Sequence, residues 1–95
     1  MVIVRLLGLG ASLIGTRTLE IDLGREPLRL RGLIDRLREE EGVAIVVDSE
    51  GLPRDTRGVL LSILVNSRHA HYIEGLDTAV RDGDKVSILT MLSGG

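Results

Sequence analysis

Apolar and polar positions change period several times along this chain, and each change predicts a different element. The first seven residues are apolar except Arg5, and Val2, Ile3 and Val4 supply the β-branched side chains of a buried strand. Gly8, Gly10 and Ser12 interrupt the run. Beyond them Arg17, Leu19, Ile21 and Leu23 alternate with Thr16, Thr18, Glu20 and Asp22, the period of two expected of a half-buried strand. Two strands joined by a short irregular loop predict an N-terminal hairpin. After Gly24 and Pro27 the period lengthens. Leu30, Leu33, Ile34 and Leu37 fall at helical spacing, with Arg31, Asp35, Arg36, Arg38 and Glu39 on the other face. Gly42 is placed to stop this amphipathic helix, and Glu39, Glu40 and Glu41 read as its solvated end.

The second half returns to strands. Residues 43–47 form a short apolar run that fits either a strand or a packed loop. Residues 48–58 read as an exposed loop, given Gly51, Pro53 and their charged neighbours. Residues 59–65 are apolar except Ser62, the pattern of a strand covered on most of both faces at the centre of a sheet. Asn66 and Ser67 follow as a turn, residues 71–73 as a short strand, and Asp82-Gly83-Asp84 as a turn before a last strand over 86–92. This order, two strands, a helix, then further strands, predicts an α+β fold with a mixed sheet of four to five strands and one helix across one face.

Ninety-five residues supply one core and starve a second, and 43% hydrophobic residues are enough to fill it. Tyr72 is the only aromatic residue, so the core is aliphatic and the stacking platforms of single-stranded nucleic-acid binders are missing. The net charge of −2 comes from interspersed signs and gives no basic block to hold a polyanion. The apolar run after Arg5, residues 6–15, is too short to span a membrane and is needed as a strand, which argues against a signal peptide. No cysteine is present, so disulfides, thiolate metal sites and protein-bound persulfides are excluded. A cytoplasmic location is expected.

Candidate chemistry is sparse inside the chain. Gly8-Leu9-Gly10 begins like a dinucleotide-binding loop, but that motif must open a helix, and here a strand follows. His69 and His71 share a strand face, yet no third metal ligand stands near them. No acid–base pair or oriented nucleophile is visible, so the chain is not expected to catalyse a reaction alone. The end of the sequence is different. A strand feeding Ser93, Gly94 and Gly95 gives a segment without β-carbons where it counts, slim enough to thread into another protein's catalytic site. Its payload is the Gly95 carboxylate, a poor acyl donor until ATP converts it to an acyl-adenylate. This chain has no phosphate loop, so a partner must supply that step.

Leu64-Val65-Asn66, Glu74-Gly75-Leu76-Asp77-Thr78, Asp82-Gly83-Asp84 and the closing Leu92-Ser93-Gly94-Gly95 stand in an order and spacing that resemble the β-grasp sulfur carriers and ubiquitin-related modifiers. These include the molybdopterin synthase small subunit, the thiamine sulfur carrier, the eukaryotic ubiquitin-related modifier and the archaeal small modifiers. The likeness is strongest over residues 60–95, and Leu33-Ile34-Asp35-Arg36-Leu37 is similar to the family's helix. Thr90-Met91-Leu92 stand where molybdopterin-type tails often carry prolines, and Asn66-Ser67 lacks a glycine common in the family. The resemblance implies a β-grasp domain over 1–92, a flexible tail over 93–95, and activation by an E1-like adenylating enzyme that uses ATP. It further implies a sulfurtransferase as sulfur source, a C-terminal thiocarboxylate, and an acceptor such as a tRNA thiolase or the molybdopterin synthase large subunit. Conjugation of Gly95 to lysines of target proteins is the alternative outcome of the same adenylate, and a plain interaction module is a third reading.

With no cysteine, the only native sulfur is in the thioethers of Met1 and Met91, so any carried sulfur must sit on Gly95. Strand alternation puts one of Met91 and Leu92 against the helix and the other on the open sheet face. There, with Ser93, it is expected to form a docking patch rimmed by Arg68, Arg81 and Lys85.

Overall fold

A computed structural model describes residues 1–8, 13–24, 27–70 and 73–90. Strand β1 (Val2–Leu7) pairs antiparallel with β2 (Thr16–Ile21), with Val2 opposite Ile21 and Leu7 opposite Thr16, so the expected hairpin forms. A two-residue strand β3 (Leu28–Arg29) leads into helix α1 (Leu30–Glu41). Strands β4 (Ile45–Val47) and β5 (Pro53–Asp55) make a small hairpin of their own. Then come β6 (Leu61–Val65), β7 (Arg68–His69), a 3₁₀ turn (Gly75–Asp77), β8 (Ala79–Val80) and β9 (Lys85–Thr90). The main sheet runs β2-β1-β9-β6-β7, and β3 pairs with β8 beside it. Its central pair, β1 and β9, is parallel, while β9–β6 and β6–β7 are antiparallel.

One aliphatic core joins the sheet and the helix. Val2, Val4 and Leu6 of β1, Leu61, Ile63 and Val65 of β6, and Val86 and Ile88 of β9 are buried on one face. Against them lie Leu30, Leu33, Ile34 and Leu37 of α1, all fully buried. These four are the residues picked out by helical spacing. The helix stops at Gly42, which adopts a left-handed φ of 66° and lets the Val43 amide reach back to the Leu37 carbonyl at 3.0 Å. Arg17 of β2 caps the same end, donating to the Glu41 carbonyl at 2.7 Å.

The structure corrects three expectations. Residues 48–58 are not simply an exposed loop: β5 lies within them, and Asp55 is completely buried because backbone amides satisfy its carboxylate. Leu64 is only partly covered, since alternation turns it to the sheet face away from the core while Ile63 and Val65 face inward. The short strand after the Asn66-Ser67 turn is Arg68–His69, starting three residues earlier than expected, with Ile73 in a turn and residues 71–72 outside the described set.

Candidate functional site: the end of the sheet from which the tail departs

β9 determines where the C-terminal segment leaves the fold. It lies between β1 and β6, with Leu89 level with Leu7 on one side and Thr90 opposite Leu61 on the other. Ladder hydrogen bonds on both edges hold it, so the last described residues belong to the central strand of the sheet. Thr90 is where description ends. Met91, Leu92, Ser93, Gly94 and Gly95, the residues expected to dock and to carry the acyl group, lie outside the described residues.

Two structures flank this exit. On the β1 side the strand continues into the β1–β2 loop, whose neck is closed by the Gly8 amide donating to the Gly15 carbonyl at 2.8 Å. A β-carbon at Gly8 would stand 2.8 Å from that carbonyl oxygen and from Cγ1 of Ile14, so only glycine fits the neck. On the β6 side the chain arrives from a tight turn in which the Asp55 and Val59 backbones bond at 2.9 Å. Asp55 Oδ1 accepts the amides of Arg57 at 2.8 Å and Val59 at 2.9 Å, and Oδ2 accepts the Leu13 amide at 3.1 Å. A neighbouring carboxylate, Asp48, organises the β4–β5 turn. It accepts from Arg54 at 2.8 Å and from the Leu52 and Glu50 amides, and these bonds, Arg54 first, hold its carboxyl below the usual aspartate range.

The sheet face away from the helix carries Ile3, Arg5 and Leu7 of β1, Lys85, Ser87 and Leu89 of β9, and Ser62 and Leu64 of β6. Leu7, Leu64 and Leu89 are half-buried, and Ser62 is hydrogen-bonded to Nε2 of His69 at 2.7 Å. His69 is therefore tied to the sheet; His71 lies outside the described residues. On the helix side an apolar cleft of about 480 Å³ opens among Leu30, Leu52, Pro53, Leu61, Ile63 and Leu76. Its lining offers no nucleophile with an orienting base.

Arg68 and Arg81 lie by the end of β9 opposite Thr90, and the tail residues they were expected to border lie outside the described residues. Arg68 sits opposite Val65, which is paired with Val86 near the start of β9, and Arg81 precedes the turn that enters β9. Both are exposed and share a shallow polar recess with Asn66 and Asp84, about 17 Å of strand away from Thr90. Lys85 begins β9 at the same end. These cations are close in number to the tail, but β9 carries its two ends apart. The same pole holds the turn that lacks glycine: Asn66 and Ser67 take positive φ of 51° and 69°. Asn66 compensates through its side chain, donating to Asp84 at 2.9 Å and accepting the Lys85 amide at 2.9 Å. The Met1 ammonium pairs with Asp82 beside it.

Comparison with known proteins agrees with this architecture. The family model of the ThiS family matches residues 15–95. A protein of Archaeoglobus fulgidus named "Putative sulfur carrier protein" is 36% identical over 77 residues, which are 80% of this chain and 84% of that protein. The solution structure of Urm1 from Trypanosoma brucei covers 98% of this chain and 95% of its own length at 27% identity, with a TM-score of 0.58. That of the Haloferax volcanii HVO 2177 protein covers 98% and 86% at 22% identity and a TM-score of 0.63, a likeness of fold. With a mixed five-stranded sheet, one main helix and a family match running from β2's threshold to the last residue, the chain belongs to the ThiS family of β-grasp sulfur carriers, which are carriers and not enzymes.

Proposed function

We propose that this protein carries sulfur on its C-terminus: an E1-like enzyme adenylates Gly95, and the adenylate is converted to a thiocarboxylate for transfer to an acceptor. The carboxylate oxygen of Gly95 attacks the α-phosphorus of ATP and pyrophosphate leaves. A sulfide-level nucleophile, presented by a sulfurtransferase, then forms a bond to the carbonyl carbon as the bond to AMP breaks. ATP is a substrate of the activating enzyme and needs no site on this chain. The acceptor is an enzyme of tRNA thiolation or molybdopterin biosynthesis.

The observation that supports this reading most is the position of β9, held on both edges at the centre of the sheet and leading into Leu92-Ser93-Gly94-Gly95. A rigid strand in a chain that closes on two residues without β-carbons delivers a terminus into a partner while the domain stays outside. The absence of cysteine leaves no other atom on the chain to bear transferable sulfur. The half-buried Leu7, Leu64 and Leu89 give the face beside the exit an apolar character suited to contact with the activating enzyme.

Intact-mass spectrometry of the protein isolated from its own cells tests the reading. A thiocarboxylate adds about 16 Da, sulfur replacing oxygen, and the addition disappears when the activating enzyme is deleted. Should the gain be absent while diglycine-modified lysines appear on many other proteins, the chain is a protein modifier using the same adenylate.

A further inference from the structure

A fully buried carboxylate needs a reason, because removing that charge from water costs several kcal/mol before any hydrogen bond is made. Asp55 is the only acidic residue in the buried set among the described residues. Two of its partners, the Arg57 and Val59 amides, are local and would be served by a less costly side chain in the same turn. Another, the Leu13 amide, is 42 residues away in sequence. The register of the sheet shows what that bond spans. Leu13 belongs to the loop that follows β1, and Val59 to the segment that enters β6. β1 and β6 are the two neighbours of β9. One carboxylate thus ties together the segments on either side of the strand that bears the tail, at the end where the tail departs.

The tied loop also presents something to a partner. Three large apolar side chains are exposed among the described residues: Met1, Leu13 and Ile73. Met1 precedes β1, and Ile73 borders the recess of Arg68 and Arg81, so both lie at the far pole. Leu13, 42% exposed, is the one at the tail pole, while its neighbour Ile14 is buried in the core. Between a core anchor at Ile14 and an amide clamp on Asp55, the Leu13 side chain is displayed in a fixed place.

We propose that Asp55 is a positioning residue for activation of the tail: by clamping the β1–β2 loop to the turn before β6, it fixes Leu13 at the rim that the activating enzyme grips when it takes in Gly95. The inference rests on the adenylation reading above and adds to it the rim and the residue that holds it. Asp55→Asn keeps an oxygen for the local turn and replaces the acceptor of the Leu13 amide with a donor. Leu13→Ala removes the displayed side chain. Gly8→Ala disturbs the neck of the same loop without touching Asp55, because its β-carbon meets Gly15 and Ile14.

The experiment is steady-state pyrophosphate exchange with the cognate activating enzyme, well below each variant's melting temperature, together with amide hydrogen exchange. Asp55→Asn raises KM for the carrier about tenfold, the size of one lost hydrogen bond to a charged group, with kcat within about twofold. Leu13→Ala raises KM alone to a similar extent, and combining the two adds little, since both act through one contact. In Asp55→Asn the Leu13 amide exchanges rapidly while the β1 and β9 amides stay protected. If Asp55→Asn does not fold, Leu13→Ala and Gly8→Ala carry the same test. An unchanged KM in variants whose Leu13 contact is lost overturns the inference while leaving the adenylation reading intact. Wild-type protein that no activating enzyme adenylates refutes that reading, and this one with it.

Discussion

Ile88 is the residue whose loss should most clearly report how the tail-bearing strand is held. It lies in the middle of β9, is completely buried, and is level with Leu6 of β1 and Ile63 of β6. Ile88→Ala removes three carbons from that position. At about 0.8 kcal/mol per buried methylene the transfer loss is about 2.4 kcal/mol. The neighbouring strands are fixed by ladder hydrogen bonds and cannot close the gap, so a cavity term brings the total to about 3–4 kcal/mol. A domain of this length has roughly 5–14 kcal/mol of stability in all, and the melting temperature should fall by more than about 10 °C. Urea unfolding followed by far-UV circular dichroism measures the change from the midpoint at constant slope. Leu64→Ala is the internal control, one strand away but on the opposite, partly exposed face, and should cost about half as much or less. A loss under about 1 kcal/mol for Ile88→Ala, or a larger loss for Leu64→Ala, would refute the assignment of faces. Because the substitution leaves the tail untouched, the folded fraction of Ile88→Ala should still be adenylated.

Three further outcomes follow from the same structure. Deleting Gly94 and Gly95 should leave the urea midpoint unchanged, since chain ends generally bury little, and should abolish ATP–pyrophosphate exchange, since the proposed acyl group is on Gly95. Gly42→Ala should destabilise by about 1 kcal/mol in thermal melts, because left-handed φ at the helix stop disfavours any β-carbon even where space is open. Asp48 has its folded pKa depressed below 3.8, chiefly by Arg54, so its contribution is complete above that value and fades as pH falls through the folded pKa. The stability difference between wild type and Asp48→Asn should therefore be largest near neutrality and shrink on acidification below about pH 4, as measured by urea midpoints across that range.

The helix and the central strands were legible because their signal is a period. Leu30, Leu33, Ile34 and Leu37 needed only helical spacing to be read as a buried stripe, and the structure buries all four. Asp55 was not legible, because a charged residue among Arg54, Arg57 and Gly58 looks like a solvated turn. Among the bonds that hold it is one to Leu13, and no local pattern encodes a partner 42 positions away. An Asp at the start of a tight turn, two and four residues before amides it can accept, was the one available hint. The position of Arg68 and Arg81 near the start of β9 was not legible for a similar reason. Their nearness to the tail in sequence says nothing about which end of β9 they occupy, and that depends on the antiparallel pairing of β6 with β9. β3 and β8, two residues each, are too short to show any period.

The parallel pairing of β1 with β9 has a practical corollary for anyone who handles this protein. Parallel strands start together, so the α-amine of Met1 and the side chain of Lys85, the sole lysine, fall at one pole, and the strand that bears Gly95 points to the other. Both amines are exposed, so an amine-reactive surface can take the protein by either of them at that one pole. Coupling the protein to a resin or sensor chip through its amines would therefore orient nearly every molecule alike, with the Thr90 end of β9 facing the solution and open to whatever is passed over it.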